Sequence, residues 1–167
     1  MSVELTEKEK RALAVGHIPS GLFIVCALEN SNDHPAKMDG FLASWVQQVS
    51  FDPMLISLCI KPGRPAYDNI INKQIFSINI VGDADTTFLK HFWSGHDPEK
   101  NIFADIPHEI IDDAVILKGA KSALICRLKE SSRPGDHDII IAEVLASVVN
   151  DPASNPKVHI RKSGLAY

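Results

Sequence analysis

Residues 39–70 read Asp-Gly-Phe-Leu-Ala-Ser-Trp-Val-Gln-Gln-Val-Ser-Phe-Asp-Pro-Met-Leu-Ile-Ser-Leu-Cys-Ile-Lys-Pro-Gly-Arg-Pro-Ala-Tyr-Asp-Asn-Ile. Asp39-Gly40 and Asp52-Pro53 are turn signals, and the residues between them predict one strand over 41–50. On an extended backbone Leu42, Ser44, Val46, Gln48 and Ser50 share one face, and Phe41, Ala43, Trp45, Gln47 and Val49 share the other. The first face is rich in hydrogen-bonding groups for so apolar a strand. Residues 54–60 form an almost unbroken apolar run, which predicts a second, buried strand. That strand stops at Lys61-Pro62-Gly63-Arg64-Pro65. Pro65 suits the first turn of a helix, where its missing N–H costs nothing. A helix N-terminus beside Lys61 and Arg64, with Tyr67 just inside it, is a place to hold a phosphate.

Upstream, residues 3–15 predict a short helix. Thr6 is its N-cap, and Glu9, three residues on, completes a capping box. Residues 18–21 read as a turn and 22–28 as an apolar strand, followed by a polar hairpin loop at 29–33. Downstream, a short helix over 65–73 carries Tyr67, Ile70 and Ile71 at helical spacing, and a core strand follows at 75–81. Asp83 or Asp85 caps a further helix running toward Phe92 or Trp93. Residues 94–109 read as an irregular loop and 114–117 as a short strand. Strands at 123–128 and 137–149 flank a loop at 129–136, and a turn at 151–156 precedes a terminal segment. About seven strands with two or three short helices predict a β-rich barrel. Helices and strands do not alternate, and no Gly-x-Gly-x-x-Gly follows any strand, so a Rossmann-type dinucleotide site is excluded.

At 167 residues the chain reads as one domain spanning 1–167, able to bury about 70% of its unfolded surface without staples. Hydrophobic residues make up 45% and charged residues 23%, and the net charge is −4. With no basic excess to neutralise phosphates, no nucleic-acid partner is expected. Cys26, Cys59 and Cys126 are too few and too widely spaced for a disulfide framework or a metal site, and each sits among apolar residues as a buried thiol would. His91, His96 and His108 are scattered without metal spacing. The N-terminus lacks the apolar stretch of a signal peptide, and no run approaches a membrane span. A cytoplasmic location is expected, with no membrane partner.

The stretch Gly40-Phe41-Leu42-Ala43-Ser44-Trp45-Val46-Gln47-Gln48-Val49-Ser50-Phe51-Asp52-Pro53 resembles the flavin reductase-like domain, the FMN-binding split-barrel family. Gly135-Asp136-His137 and Val158-His159-Ile160-Arg161-Lys162-Ser163-Gly164 add to it. The likeness is strongest to the flavin reductase module of cyanobacterial flavodiiron proteins, and it covers roughly residues 14–167. The resemblance implies a Greek-key split β-barrel that forms a homodimer, with FMN in a groove at or near the subunit interface. It implies an FMN-dependent NAD(P)H:flavin or flavoprotein oxidoreductase. Hydride would pass from the nicotinamide to flavin held along residues 44–51, and electrons would pass on to free flavin, oxygen, a metal complex, or a flavodiiron-type or monooxygenase partner.

On that resemblance Ser44, Trp45, Val46, Gln47, Ser50 and Phe51 line the flavin, since a ring of this kind needs hydrogen bonds at its edges and an apolar wall. The residues alone equally suit a strand that only packs a barrel. Lys61, Gly63, Arg64 and Tyr67 form the phosphate grip, or else a solvated surface loop. The family often carries Ser and Thr here, and their replacement leaves FAD open beside FMN. His137 is the candidate catalytic residue, orienting flavin or nicotinamide, where a plain structural histidine is the alternative. His159, Arg161 and Lys162 form a small basic cluster that holds cofactor phosphates or is surface charge. A non-enzymatic flavin-binding electron carrier is the alternative function. A split-barrel relative binding haem or a pyridoxal-type phosphate is a third.

Overall fold

A computed structural model describes residues 5–29, 37–93 and 101–165. Residues 30–33 of the polar loop expected at 29–33, and the 94–100 part of the irregular loop, with His96, lie outside them. The first element is α1 (Glu7–Gly16), and it begins where the capping box sets it. The Glu9 carboxylate accepts the Thr6 amide at 2.8 Å, and the Thr6 hydroxyl accepts the Glu9 amide at 3.3 Å. The chain then runs through β1 (Ser20–Gly21), β2 (Phe23–Leu28), β3 (Met38–Ala43), β4 (Val46–Ser50) and β5 (Leu55–Ile60). Next come α2 (Pro65–Lys73), β6 (Ile75–Ile80), α3 (Thr87–Phe92), β7 (His108–Ile111) and β8 (Ala114–Leu117). The two long strands β9 (Ser122–Ser132) and β10 (Asp138–Val149) and the short β11 (Val158–His159) complete it.

Seven strands make one antiparallel sheet in the order β3-β2-β6-β9-β10-β5-β4. Its two edges, β3 and β4, are consecutive in the chain and are separated only by Ser44 and Trp45. Edges joined by two residues cannot lie far apart, so the sheet must curl until they meet at that corner. The result is a barrel split along one seam. Every strand except β4 sends buried side chains to one cluster, including Val25, Phe41, Leu58, Phe76, Cys126 and Ile140. Ala66 and Ile70 of α2 join it from one end. Each of the larger side chains contributes about 1.5–3 kcal/mol by leaving water.

The opposite face of β2, with Ile24, Cys26 and Leu28, belongs to a second cluster. Phe88 and Phe92 of α3, Phe103, and Val115 and Leu117 of β8 cover it. Burial on both faces explains why 22–28 reads as continuous apolar sequence rather than alternation.

Five sequence expectations are corrected. The strand expected over 41–50 is two strands, because the chain changes sheet edges at Ser44-Trp45; both halves stay extended, so alternation alone does not show the break. Asp39-Gly40 is not a turn but lies inside β3, where a side chain on Gly40 would meet Phe103 at 3.0 Å and Phe92 at 3.2 Å. Ser20-Gly21, expected in a turn, pairs with β11 through Ser20↔His159 and Gly21↔Val158. The loop expected at 129–136 is shorter, since β9 continues to Ser132 opposite Ile139, and the end of the loop expected at 94–109 is strand, because His108 and Glu109 open β7.

Candidate functional site

The site grows from the corner. Ser44 is only 5% exposed, and its Oγ is the single buried side-chain nitrogen or oxygen without a hydrogen-bond partner among the described residues. Trp45 follows; its carbonyl accepts the Cys59 amide at 3.0 Å, which ties the corner to β5. The Trp45 ring centroid lies 4.9 Å from that of His137, with the planes inclined at 59°. The Arg161 guanidinium carbon stands 5.0 Å from the Trp45 centroid, a cation–π arrangement. Arg161 is itself buried, and its amide donates to Gly16 at the end of α1. The end of α1 and the segment at Arg161 thus meet beside the corner.

A cavity of about 150 Å³ opens beside Ser44 and Trp45. Cys59 and Ile60 of β5, Lys61, Arg64 and His137 also line it. Trp93, one residue past α3, and His159 of β11 reach its rim. A shallower groove of about 460 Å³ shares Ser44, Trp45 and Cys59 and runs past Val46, Gln47 and Ser57 toward β1 and Val158. The enclosed part is smaller than the roughly 300–1,000 Å³ of most small-molecule sites, so a ligand of that size must also use the groove.

The loop into α2 meets the expectation of a helix start. Pro65 opens the helix, Gly63 turns at φ 83°, and the Arg64 side chain makes no capping bond. That leaves the guanidinium at the cavity, beside a helix N-terminus that favours anions. His137 Nδ1 lies 2.9 Å from the Asp136 carboxylate. That hydrogen bond, helped by the charge of Lys61, holds the Asp136 carboxyl below the usual carboxylate range.

The structure therefore brings Ser44, Trp45, Lys61, Arg64 and His137 to one cavity, and Val46 and Gln47 to the groove beside it. Ser50 and Phe51 line neither, and Phe51 is 89% exposed on the β4–β5 turn. Tyr67 also lines neither; its hydroxyl donates to Asp138. The basic cluster expected near the C-terminus divides: His159 reaches the cavity, Arg161 covers Trp45, and Lys162 is exposed.

Sequence reasoning missed Cys59 and Trp93. Cys59 was expected to be buried like Cys26 and Cys126, but it is half-buried on the face of β5 that also carries Ser57. Period-2 alternation with Leu58 and Ile60 was the available signal. Burial raises the thiols of all three, that of Cys126 to about 12, so none is primed as a nucleophile. Trp93 follows the inward-facing Phe88 and Phe92, and the helical spacing leaves it off the core face.

This fold is that of split-barrel flavin reductases. The solved structure of the Streptomyces globisporus C-1027 NADH:FAD oxidoreductase SgcE6 matches with a TM-score of 0.81 at 20% identity, over 98% of this chain and 96% of that one. The family model of the flavin reductase like domain matches residues 15–164, and the chain belongs to that family. A putative diflavin flavoprotein A 6 of Nostoc sp. strain PCC 7120 is 29% identical over 168 residues, covering 99% of this chain and 28% of the relative. The FMN reductase (NADH) RutF of Pseudomonas syringae pv. syringae is 29% identical over 116 residues, covering 69% of this chain and 65% of RutF. The chain thus spans little more than a quarter of the diflavin protein's length. Among the described residues no helix is long and apolar enough to cross a membrane.

Proposed function

We propose that the protein is an NAD(P)H-dependent flavin reductase working with FMN, with FAD as the alternative flavin. The observation that carries this reading is the buried, unpartnered Ser44 hydroxyl at a cavity whose wall bears Lys61 and Arg64. A buried hydroxyl without a partner costs about 1–3 kcal/mol, and a ligand with polar edges removes that cost. Ser44, Trp45, Val46 and Gln47 would receive the flavin ring. Lys61, Arg64 and the first amides of α2 would receive its phosphate. When bound, the flavin supplies two-electron chemistry, taking a hydride from the nicotinamide and returning electrons to an acceptor.

The chain's own residues bind, orient and exclude water. Trp45 is held rigid between His137 and Arg161, which suits it to form a wall rather than a mobile lid. His137 lines the same cavity and would orient the second substrate or the flavin. Two further parts belong to the same reading. The protein works as a homodimer in the cytoplasm, supported by exposed apolar residues on the β4–β5 turn and by three free thiols. The acceptor is free flavin or a flavoprotein partner of the flavodiiron or monooxygenase type, supported by the likeness to a module of diflavin flavoproteins.

The test is a visible spectrum after FMN loading and desalting, repeated under anaerobic NADH and NADPH. Retained flavin that bleaches with one nicotinamide supports the reductase and names its donor. Retained flavin that neither bleaches moves the function to an electron carrier. Absence of both retained flavin and turnover with free flavin overturns the reading. Ser44→Ala should weaken flavin binding about 5- to 20-fold while leaving the melting temperature unchanged or slightly raised, since it removes a hydrogen bond that exists only with ligand bound.

A further inference from the structure

Asp138 is the first residue of β10, next to His137, and its side chain is 7% exposed. A carboxylate so buried requires partners. Tyr67 Oη donates to one of its oxygens and Arg133 Nε to the other, while Arg133 Nη2 reaches the first oxygen at 3.0 Å. Arg133 Nη2 also lies 3.3 Å from Tyr67 Oη, so the three side chains close a triangle. The hydrogen bonds from Arg133 and then Tyr67 lower the Asp138 carboxyl, and the bond to Asp138 raises the Tyr67 phenol.

The triangle joins two segments that face the cavity. Tyr67 lies in the first turn of α2, three residues after Arg64. Arg133 and Asp138 bracket the β9–β10 turn that carries His137. It is a side-chain hydrogen-bonded tie between α2 and that turn. The loop from 61 to 64 has little else to fix it. Its backbone bonds, Arg64 N–H to Lys61 and Tyr67 N–H to Arg64, are local, and nothing approaches within 4 Å of a side chain built on Gly63. Arg133 is itself engaged by Asp138 through two hydrogen bonds.

We propose that Asp138, Tyr67 and Arg133 act as positioning residues: a clasp that fixes the Lys61–Arg64 loop against the His137 turn and so sets the preference for a phosphorylated flavin. The inference rests on the flavin reading given above. The three side chains need not touch the ligand. They act by holding α2 so that Lys61 and Arg64 present their charge at one distance from the corner.

The test compares FMN with riboflavin, which lacks the phosphate, by flavin fluorescence titration of the full-length protein. Wild type should bind FMN more tightly. Tyr67→Phe and Asp138→Asn should each lower the FMN-to-riboflavin affinity ratio about 3- to 10-fold, with riboflavin affinity nearly unchanged. Tyr67→Phe keeps the ring and its packing, so it remains informative even if Asp138→Asn misfolds. Equal loss of FMN and riboflavin affinity would assign the triangle to stability alone and overturn the clasp. A ratio that falls in Arg133→Ala but not in Tyr67→Phe would make Arg133 a direct phosphate ligand and overturn it too. If wild type binds both flavins equally, the phosphate grip fails and the clasp with it. If it binds neither, the flavin reading itself fails first.

Discussion

Ser44, at the corner between β3 and β4, and Asp138, the first residue of β10, are both buried polar residues, and the fold treats them oppositely. Ser44 has no partner, which is the condition of a group kept for a ligand. Asp138 accepts three hydrogen bonds, which is the condition of a group that holds structure. The difference has a pH signature. The native Asp138 carboxyl is depressed, so its contribution is fully present above the unfolded value near ~3.9 and is lost as pH falls through the native value. The Tyr67 phenol is raised, so its contribution is present below about pH 10 and is lost as pH rises through its native value. Melting temperatures measured across pH should therefore show Asp138→Asn with a shallower acid limb than wild type and Tyr67→Phe with a shallower alkaline limb. Parallel curves for variant and wild type at both ends would refute the linkage. Ser44, Lys61, Arg64 and His137 were legible because each lies in or beside a local signal: a polar strand face, a proline-bounded helix start, a Gly-Asp-His turn. The Tyr67–Asp138 bond spans 71 positions, and no local pattern announces which aspartate a tyrosine will find.

Among the elements, the β7–β8 hairpin stands outside the main sheet and must be fastened to it. Asn79 of β6 does this from a fully buried position. Its amide nitrogen donates to the carbonyls of Ile24 and Val115, each at 3.2 Å, and its oxygen accepts the Leu117 amide at 2.8 Å. Ser77, also buried, donates its hydroxyl to Val115. Asn79→Leu removes these bonds and strands the Leu117 N–H, with a cost of about 2–4 kcal/mol. For a chain of this size the melting temperature should fall by roughly 5–15 °C. Hydrogen exchange should show the Leu117 amide losing protection before those of β9 and β10; uniform loss of protection would mean that Asn79 supports the barrel as a whole. In sequence, Ser77 and Asn79 alternate with Ile and look like the wet face of a strand. They face the hairpin instead, and its first strand lies where Pro, His and Asp suggested only loop. Helix α1 was legible to its cap because a capping box is local chemistry within four residues. The edge change at Ser44-Trp45 was not, because pairing partners are a property of the closed barrel.

For the molecule as a whole, the open seam raises the question of what covers it. Phe51 and Met54 flank the cis-proline turn between β4 and β5, and both are exposed, as is Val49 just before it. The backbone of Met54 accepts the Val144 amide, and β10 bulges next to it at Leu145, which is also exposed. Apolar side chains gathered on a sheet end, beside an edge strand with one free side, are features of a surface that is covered. The resemblance led to the same expectation, since composition carries no sign of an interface. The proposed second copy, seated there, would bury these side chains, and a stable pair needs about 800 Å² from each partner. Light scattering at micromolar concentration should give twice the 18.3 kDa chain mass. The double change Phe51→Asp with Met54→Asp should give a folded monomer, because neither side chain belongs to the core. A wild-type monomer would remove the dimer from the proposal. If the groove beside Val46 and Gln47 is completed by the second copy, the monomeric variant should also lose flavin after desalting while Ser44 and Arg64 stay in place. Full flavin retention by that monomer would instead place the whole binding surface on one chain.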